Sequence, residues 1–468
     1  MAQAYAQFFP LLLLIRVSAS QPELKNVFRS IGSAWQQKII GHEGDFDRRS
    51  ILALGAWVHE FSHFIQQMTR IQGIESLQFA QLQAAYTNEY LSKVRDSFHN
   101  SSFWPPSIPM VGYVANQDKC TSSILKEWLM AWTSLEVPRL LSLGRPLYSR
   151  EAYLVEEWLD VHYRRLQELH MSDLSFPETP FPQLKERDKA GNTQTISLTT
   201  SAILENEANY ITYEFLNSFF PEEVWEIMDE LIGNVDHQNF GLVLAMMKDG
   251  TNLLLPLLSD LAMQIPFYTG WLNIKDYRTR NASWRFYDAY ECVKQKYSGM
   301  MGPEIEKHVR EIVRYIETNC GWPNHSRMME DFIESLQKGK RPGLTGPIEK
   351  LALYHINNRL NSPEHYAFLP VWLDHIGAES YCPFVAFYDE SGEVAHTHGF
   401  GSSLLSDDEI VKLTFQTYFM WSAREIATAQ NLVRCPICHL VQNRPGCSRC
   451  MFHSWFKSTW GFDPYSVN

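Results

Sequence analysis

The sequence predicts a mainly α-helical protein of the α+β class, with a small sheet or hairpin and a cysteine-rich module near its C-terminal end. Three observations carry this. Apolar residues recur every three or four positions along most of the 468 residues. Strand-like patterning is scarce, and the best hairpin pairs Phe384–Tyr388 with Val394–Thr397 across Asp389-Glu390-Ser391-Gly392. Four of the eight cysteines fall close together as Cys435, Cys438, Cys447 and Cys450.

Taken in order, the chain opens on its longest apolar run, Phe8-Phe9-Pro10-Leu11-Leu12-Leu13-Leu14-Ile15. That is far short of the roughly 18 residues a membrane span needs. No Lys or Arg precedes it, so it lacks the positive region of a signal peptide. Leu54, Trp57, Val58, Phe61, Phe64, Ile65 and Met68 then repeat at helical spacing, an amphipathic helix of about twenty residues. Further helical patterns cover Leu77–Val94, Ser123–Leu141, Glu151–Leu169, Thr200–Ser218, Pro221–Ile232, Pro303–Thr318, Pro347–Leu360 and Asp407–Ala429. Thr200 and Ser201 suit helix caps, while Pro221 and Pro303 suit first turns. Phe103–Pro109 and Ser172–Asn192 are polar and proline-bearing, and are expected as loops. The natural boundary lies near residue 430, giving a domain over 1–430 and a module over 431–468.

Composition narrows the function classes. The hydrophobic fraction is 45% and the charged fraction 20%, which is globular rather than disordered. A net charge of −12 argues against a general nucleic-acid binder and against an anionic-membrane binder.

The most informative stretch is His59-Glu60-Phe61-Ser62-His63. Histidines at i and i+4 share one helical face, so both imidazoles can reach one Zn²⁺. Glu60 is turned off that line, which puts a carboxylate beside the metal, where it can take a proton from water. In a chain with 16 His this pattern should arise by chance only about 0.04 times. The stretch resembles the active-site helix of zincin metallopeptidases. His-Glu-Phe-Ser-His-Phe-Ile-Gln also resembles uncharacterised bacterial proteins carrying HE[FY]xHFxQ. The metzincin form is absent, because Gln66 stands where that pattern wants Gly and Thr69 where it wants His.

Gluzincins take their third ligand from a later helix, often within E-x-x-A-x-Y or N-E-A. Leu204-Glu205-Asn206-Glu207-Ala208-Asn209-Tyr210 satisfies both patterns with different glutamates. On a helical wheel Leu204, Ala208, Ile211 and Phe215 form one stripe, flanked on opposite sides by Glu205 and Glu207. Periodicity does not choose between the two. The resemblance favours Glu205, with Glu207 as its rival and Glu89 and Asp96 as further candidates. Tyr210, Tyr213 and His398 could meet an oxyanion or substrate, and His396 pairs with His398 on one strand face.

Cys435-Pro-Ile-Cys438 and Cys447-Ser-Arg-Cys450 supply four thiolates for a closed, structural zinc, and the stretch resembles a zinc ribbon. Reduced thiolates suit a cytoplasmic setting. The expectation is thus a zincin-like helical metallopeptidase with one catalytic and one structural Zn²⁺, acting on a protein or peptide substrate. The alternatives are a non-catalytic interaction protein that docks a partner through its ribbon, and a regulated bacterial toxin or immune effector protease.

Overall fold

The helix that carries the two histidines, α1 (Arg48–Thr69), sits at the centre of the fold. The computed structural model describes residues 6–18, 46–98, 108–115, 122–143, 181–187, 193–232, 239–266, 281–339, 344–362, 384–388, 394–397, 404–428, 433 and 451–463. Asp47 caps α1 by accepting from the Ser50 amide at 2.8 Å. Past its first turn the helix is buried except at His59, Glu60, His63 and Gln67. An almost wholly enclosed helix that exposes its polar residues on one short strip is built to present that strip. Trp57, Phe61 and Phe64 stack in series, with centroids 5.1 and 5.8 Å apart, and anchor the opposite face.

Ahead of α1 lie two strands, β1 (Ala6–Phe9) and β2 (Leu14–Ser18). The apolar run that reads as a lone hydrophobic stretch is therefore a hairpin, with Phe8, Leu13 and Ile15 buried against α1 and its neighbours. After α1 a corner at Arg70 leads into α2 (Ile71–Phe98), whose 28 residues span about 42 Å. Gly73 lies in that corner, where a Cβ would stand 2.3 Å from the Gln67 carbonyl oxygen. Then follow α3 (Met110–Ala115) and α4 (Ser123–Leu143).

The segment expected as a loop to Asn192 contains β3 (Gln183–Arg187), which pairs antiparallel with β4 (Thr193–Ser197). This hairpin feeds α5 (Thr200–Phe219). Its cap is Thr199 rather than Thr200 or Ser201, since the Thr199 side chain accepts from the Ala202 amide at 3.0 Å. Pro221 begins a turn, and α6 (Val224–Ile232) starts three residues later than its proline suggests.

Next come α7 (Gly241–Lys248), a 3-10 turn (Asn252–Leu254) and α8 (Leu255–Met263). Every residue of α8 is buried, so it carries no polar face and no periodic signal. The chain continues through α9 (Ala282–Lys296), α10 (Gly302–Cys320), α11 (His325–Gln337) and α12 (Gly346–Asn361). Pro303 and Pro347 occupy first-turn positions of α10 and α12. The predicted hairpin is present as β5 (Phe384–Tyr388) and β6 (Val394–Thr397). The last elements are α13 (Asp407–Thr428) and α14 (Met451–Trp460).

Among the described residues the fold is mainly helical, with a four-stranded sheet in the order β1-β2-β5-β6 and a separate β3-β4 hairpin. β2 pairs parallel with β5, the other pairs being antiparallel, which leaves β1 on an edge beside α1. Among the described residues the apolar side chains bury into two clusters. The larger surrounds α1, and the smaller joins Trp128 and Trp132 of α4 to Phe452, Phe456 and Trp460 of α14. α2 ties the two together, contributing Ile74 and Leu77 to the first and Leu91 and Val94 to the second. The stretch after the cysteine pairs is thereby anchored in the second cluster. The expected helix over Glu151–Leu169, the boundary at 430/431 and the four cysteines lie outside the described residues. Among the described residues no helix is long and apolar enough to cross a membrane.

Candidate metal centre

Two elements far apart in sequence build the site. α1 offers His59 and His63 one turn apart, and α5 packs along it. The close fit of α1 on α5 and α6 depends on Gly55, where a Cβ would stand 2.9 Å from Leu231 and 3.4 Å from Leu216. The roll of α5 in that contact decides which glutamate faces which way. Glu207 turns inward and is 2% exposed, whereas the Glu205 side chain is 41% exposed and reaches the histidines.

The three side chains form a compact triangle. The two imidazole Nε2 atoms are 3.2 Å apart. The Glu205 carboxylate lies 3.4 Å from His59 Nε2 and 3.2 Å from His63 Nε2. These distances run to different oxygens of the carboxylate, Oε1 toward His59 and Oε2 toward His63, and one ligand atom from each of the three residues lies within 4.8 Å of the others, close to the roughly 3.3–3.6 Å edges of a tetrahedral zinc site. Among the described residues this is the group of His, Cys, Asp and Glu side chains placed to hold a metal. His59 and His63 keep side-chain exposures of 17% and 20%, so the group is partly accessible to solvent.

Electrostatics suit a cation. Burial alone would lower the His63 imidazole, but the Glu205 and Glu60 carboxylates and Gln66 outweigh it and raise it to about 9. Burial would raise Glu205, yet hydrogen bonds and charge from His59 and His63 hold it well below the usual carboxylate range. The two carboxylates beside the imidazoles thus favour positive charge in this space.

Glu60 stands beside the triangle rather than in it. Its Oε2 accepts from the Phe8 amide of β1 at 2.7 Å. One carboxylate oxygen is thus held by the edge strand, and the other remains for chemistry. Neither Phe8 nor this contact is readable from the motif, because it joins residues 52 positions apart.

The other sequence candidates fall elsewhere. Glu89 pairs with Lys93 at 2.6 Å on exposed α2 surface, and Asp96 lies 3.5 Å from Arg95, so neither joins the histidines. Tyr210 is 4% exposed, and burial together with Glu214 pushes its hydroxyl far up, which sets it in the core rather than on the open side. Tyr213 packs between Trp225 and Phe240, with centroids 5.0 and 6.1 Å away. His398 and the four cysteines lie outside the described residues, as does the side chain of His396. The residue that the motif undervalues is Gln66, noted only as a departure from Gly. Its Oε1 sits 2.8 Å from His63 Nδ1. The available signal is spacing, since Gln66 follows His63 by three positions on the same helical face. No protein-family model, curated protein or solved structure matches this chain.

Proposed function

We propose that this chain is a zinc-dependent hydrolase, specifically a zincin-type metallopeptidase, with zinc held by His59, His63 and Glu205. The observation that carries the reading is the close grouping of His59, His63 and Glu205, partly accessible to solvent, with the Glu60 carboxylate alongside it. A bound zinc ion supplies Lewis acidity, polarising a carbonyl oxygen and making water a better nucleophile at neutral pH. The remaining work falls to this chain's own groups. Glu60 accepts the proton of the attacking water and returns it to the departing amine. The Phe8 amide fixes one Glu60 oxygen, so the other is already oriented.

A peptide substrate is favoured by the neighbouring strand. β1 is an edge of the sheet, and an extended peptide can pair with the backbone groups of such an edge. The Cys435, Cys438, Cys447 and Cys450 pairs belong to the same reading as a second, structural zinc, on the strength of their spacing. Those thiolates also favour a cytoplasmic setting.

The test is hydrolysis of casein and of a peptide library by the full chain, with and without a chelator. Glu60→Gln should keep the fold and the zinc and lose about 10²–10⁴-fold in rate. His59→Ala should lose metal and activity together. Undiminished hydrolysis by Glu60→Gln that retains its zinc sinks the reading, and a zinc-loaded native chain with no hydrolysis favours an interaction protein instead.

A further inference from the structure

A chain of buried polar groups runs inward from His63. Gln66 is 6% exposed, and its Nε2 donates to the Leu204 carbonyl at 3.1 Å and to Glu207 Oε2 at 3.0 Å. An amide nitrogen has two hydrogens, and both are engaged. Oε1 is then the end turned to His63 Nδ1, and an amide oxygen can only accept. The proton between them must therefore sit on Nδ1. This leaves Nε2 as the ring atom that faces His59 and Glu205. Flipping the amide would set its oxygen against two acceptors, the Leu204 carbonyl and the Glu207 carboxylate, so the reversed orientation is excluded.

What holds Gln66 is a buried network drawn from three further elements. Glu207 receives Arg70 Nη2 at 2.5 Å and the Ser259 hydroxyl at 2.6 Å. Arg70 Nε lies 3.6 Å from Asp260, and Asp260 is bound in turn by Arg359 through Nε at 2.8 Å. The two carboxylates and two guanidiniums cancel, so the network adds no net charge behind the metal ligands. Buried ion pairs give little stability relative to well-packed apolar side chains. Their value here is orientation, passed along a line that ends on His63.

We infer that Gln66 is a positioning residue of the metal centre, holding His63 with Nδ1 protonated and Nε2 toward the metal, and that Glu207, Arg70, Asp260 and Arg359 hold Gln66. This rests on the zinc reading above. With Nδ1–H held by Gln66, Nε2 is the nitrogen left for the metal, and the ring need not turn when zinc displaces the proton there.

The probe is Zn²⁺ bound to the full chain, counting the zinc that His59→Ala loses. Chelator competition should show Gln66→Met binding that zinc about 10–100-fold more weakly than the native chain, the usual effect of removing such a partner. The exchange Gln66→Glu with Glu207→Gln restores an acceptor for Nδ1–H and keeps one negative charge while losing the donor to the Leu204 carbonyl, and it should recover part of the loss. A role in packing alone would not be rescued in that way. In ¹⁵N-histidine-labelled, zinc-loaded native protein, His63 should show a protonated Nδ1 and a metal-bound Nε2, a measurement that needs no variant to fold. Metal on His63 Nδ1, or a folded Gln66→Met with native zinc affinity, overturns the inference while leaving the zinc reading intact. A native chain that binds no zinc at this site removes both.

Discussion

Replacing Phe8 by proline tests whether the edge strand sets the geometry of Glu60, the proposed general base. Phe8 is paired with Ile15 across β1 and β2, and its N–H leaves the sheet to reach Glu60 Oε2 at 2.7 Å. In an antiparallel ladder, amides alternate between the partner strand and the outside, so the Phe8 amide is one of the outward set. Proline is tolerated at such an edge position, because it removes no ladder bond. Two changes accompany the substitution and must be separated. The ring, which meets Phe64 edge-on at 6.1 Å, is lost, and deleting a buried Phe costs about 3–5 kcal/mol. Phe8→Ala shares that loss but keeps the N–H. The difference between the two variants isolates a hydrogen bond to a carboxylate, worth about 1.5–3 kcal/mol. A misplaced reacting group can cost about 10²-fold, so kcat/KM of Phe8→Pro should lie about 10–100-fold below that of Phe8→Ala. The assay is peptide hydrolysis at equal zinc loading, with circular dichroism confirming equal helix content. Equal rates in the two variants would show that the amide does nothing for Glu60.

Further outcomes follow from other parts of the fold. Gly73→Ala should destabilise by about 1–3 kcal/mol in urea, because the added methyl meets the backbone oxygen of Gln67, which cannot step aside as a side chain could. Glu136 yields a dependence on pH. Burial would raise its carboxyl, but charge and hydrogen bonds from Arg139 and Arg424 lower it below its ordinary 4.5. A lowered native value means that its contribution is complete above about pH 4.5 and disappears as pH falls toward that native value. Urea unfolding between pH 3 and 7 should therefore show a shallower acid loss in Glu136→Gln than in the native chain. Replacing Cys435 and Cys438 together should remove one zinc per chain while leaving the zinc at His59 and His63, as elemental analysis would show.

Several features of this protein are local, and these the sequence determined by itself. Two histidines four apart on a helix share a face whatever the helix packs against, so the His59–His63 pair, and the Glu60 carboxylate beside it, needed only α1. The β5-β6 hairpin followed from a turn flanked by apolar residues. The choice between Glu205 and Glu207 did not follow, because both border the apolar stripe of α5, and only its roll against α1 sends one outward and buries the other. The same limit hid α8, whose nine residues are buried on every side, and β1 and β2, whose apolar run has no alternation to betray a hairpin. The Phe8 contact to Glu60 and the line from His63 through Gln66 to Arg359 were also decided only in three dimensions. Each is a hydrogen bond between groups brought together by packing. Periodicity records which face of an element avoids water, and it carries no information about which distant element covers that face.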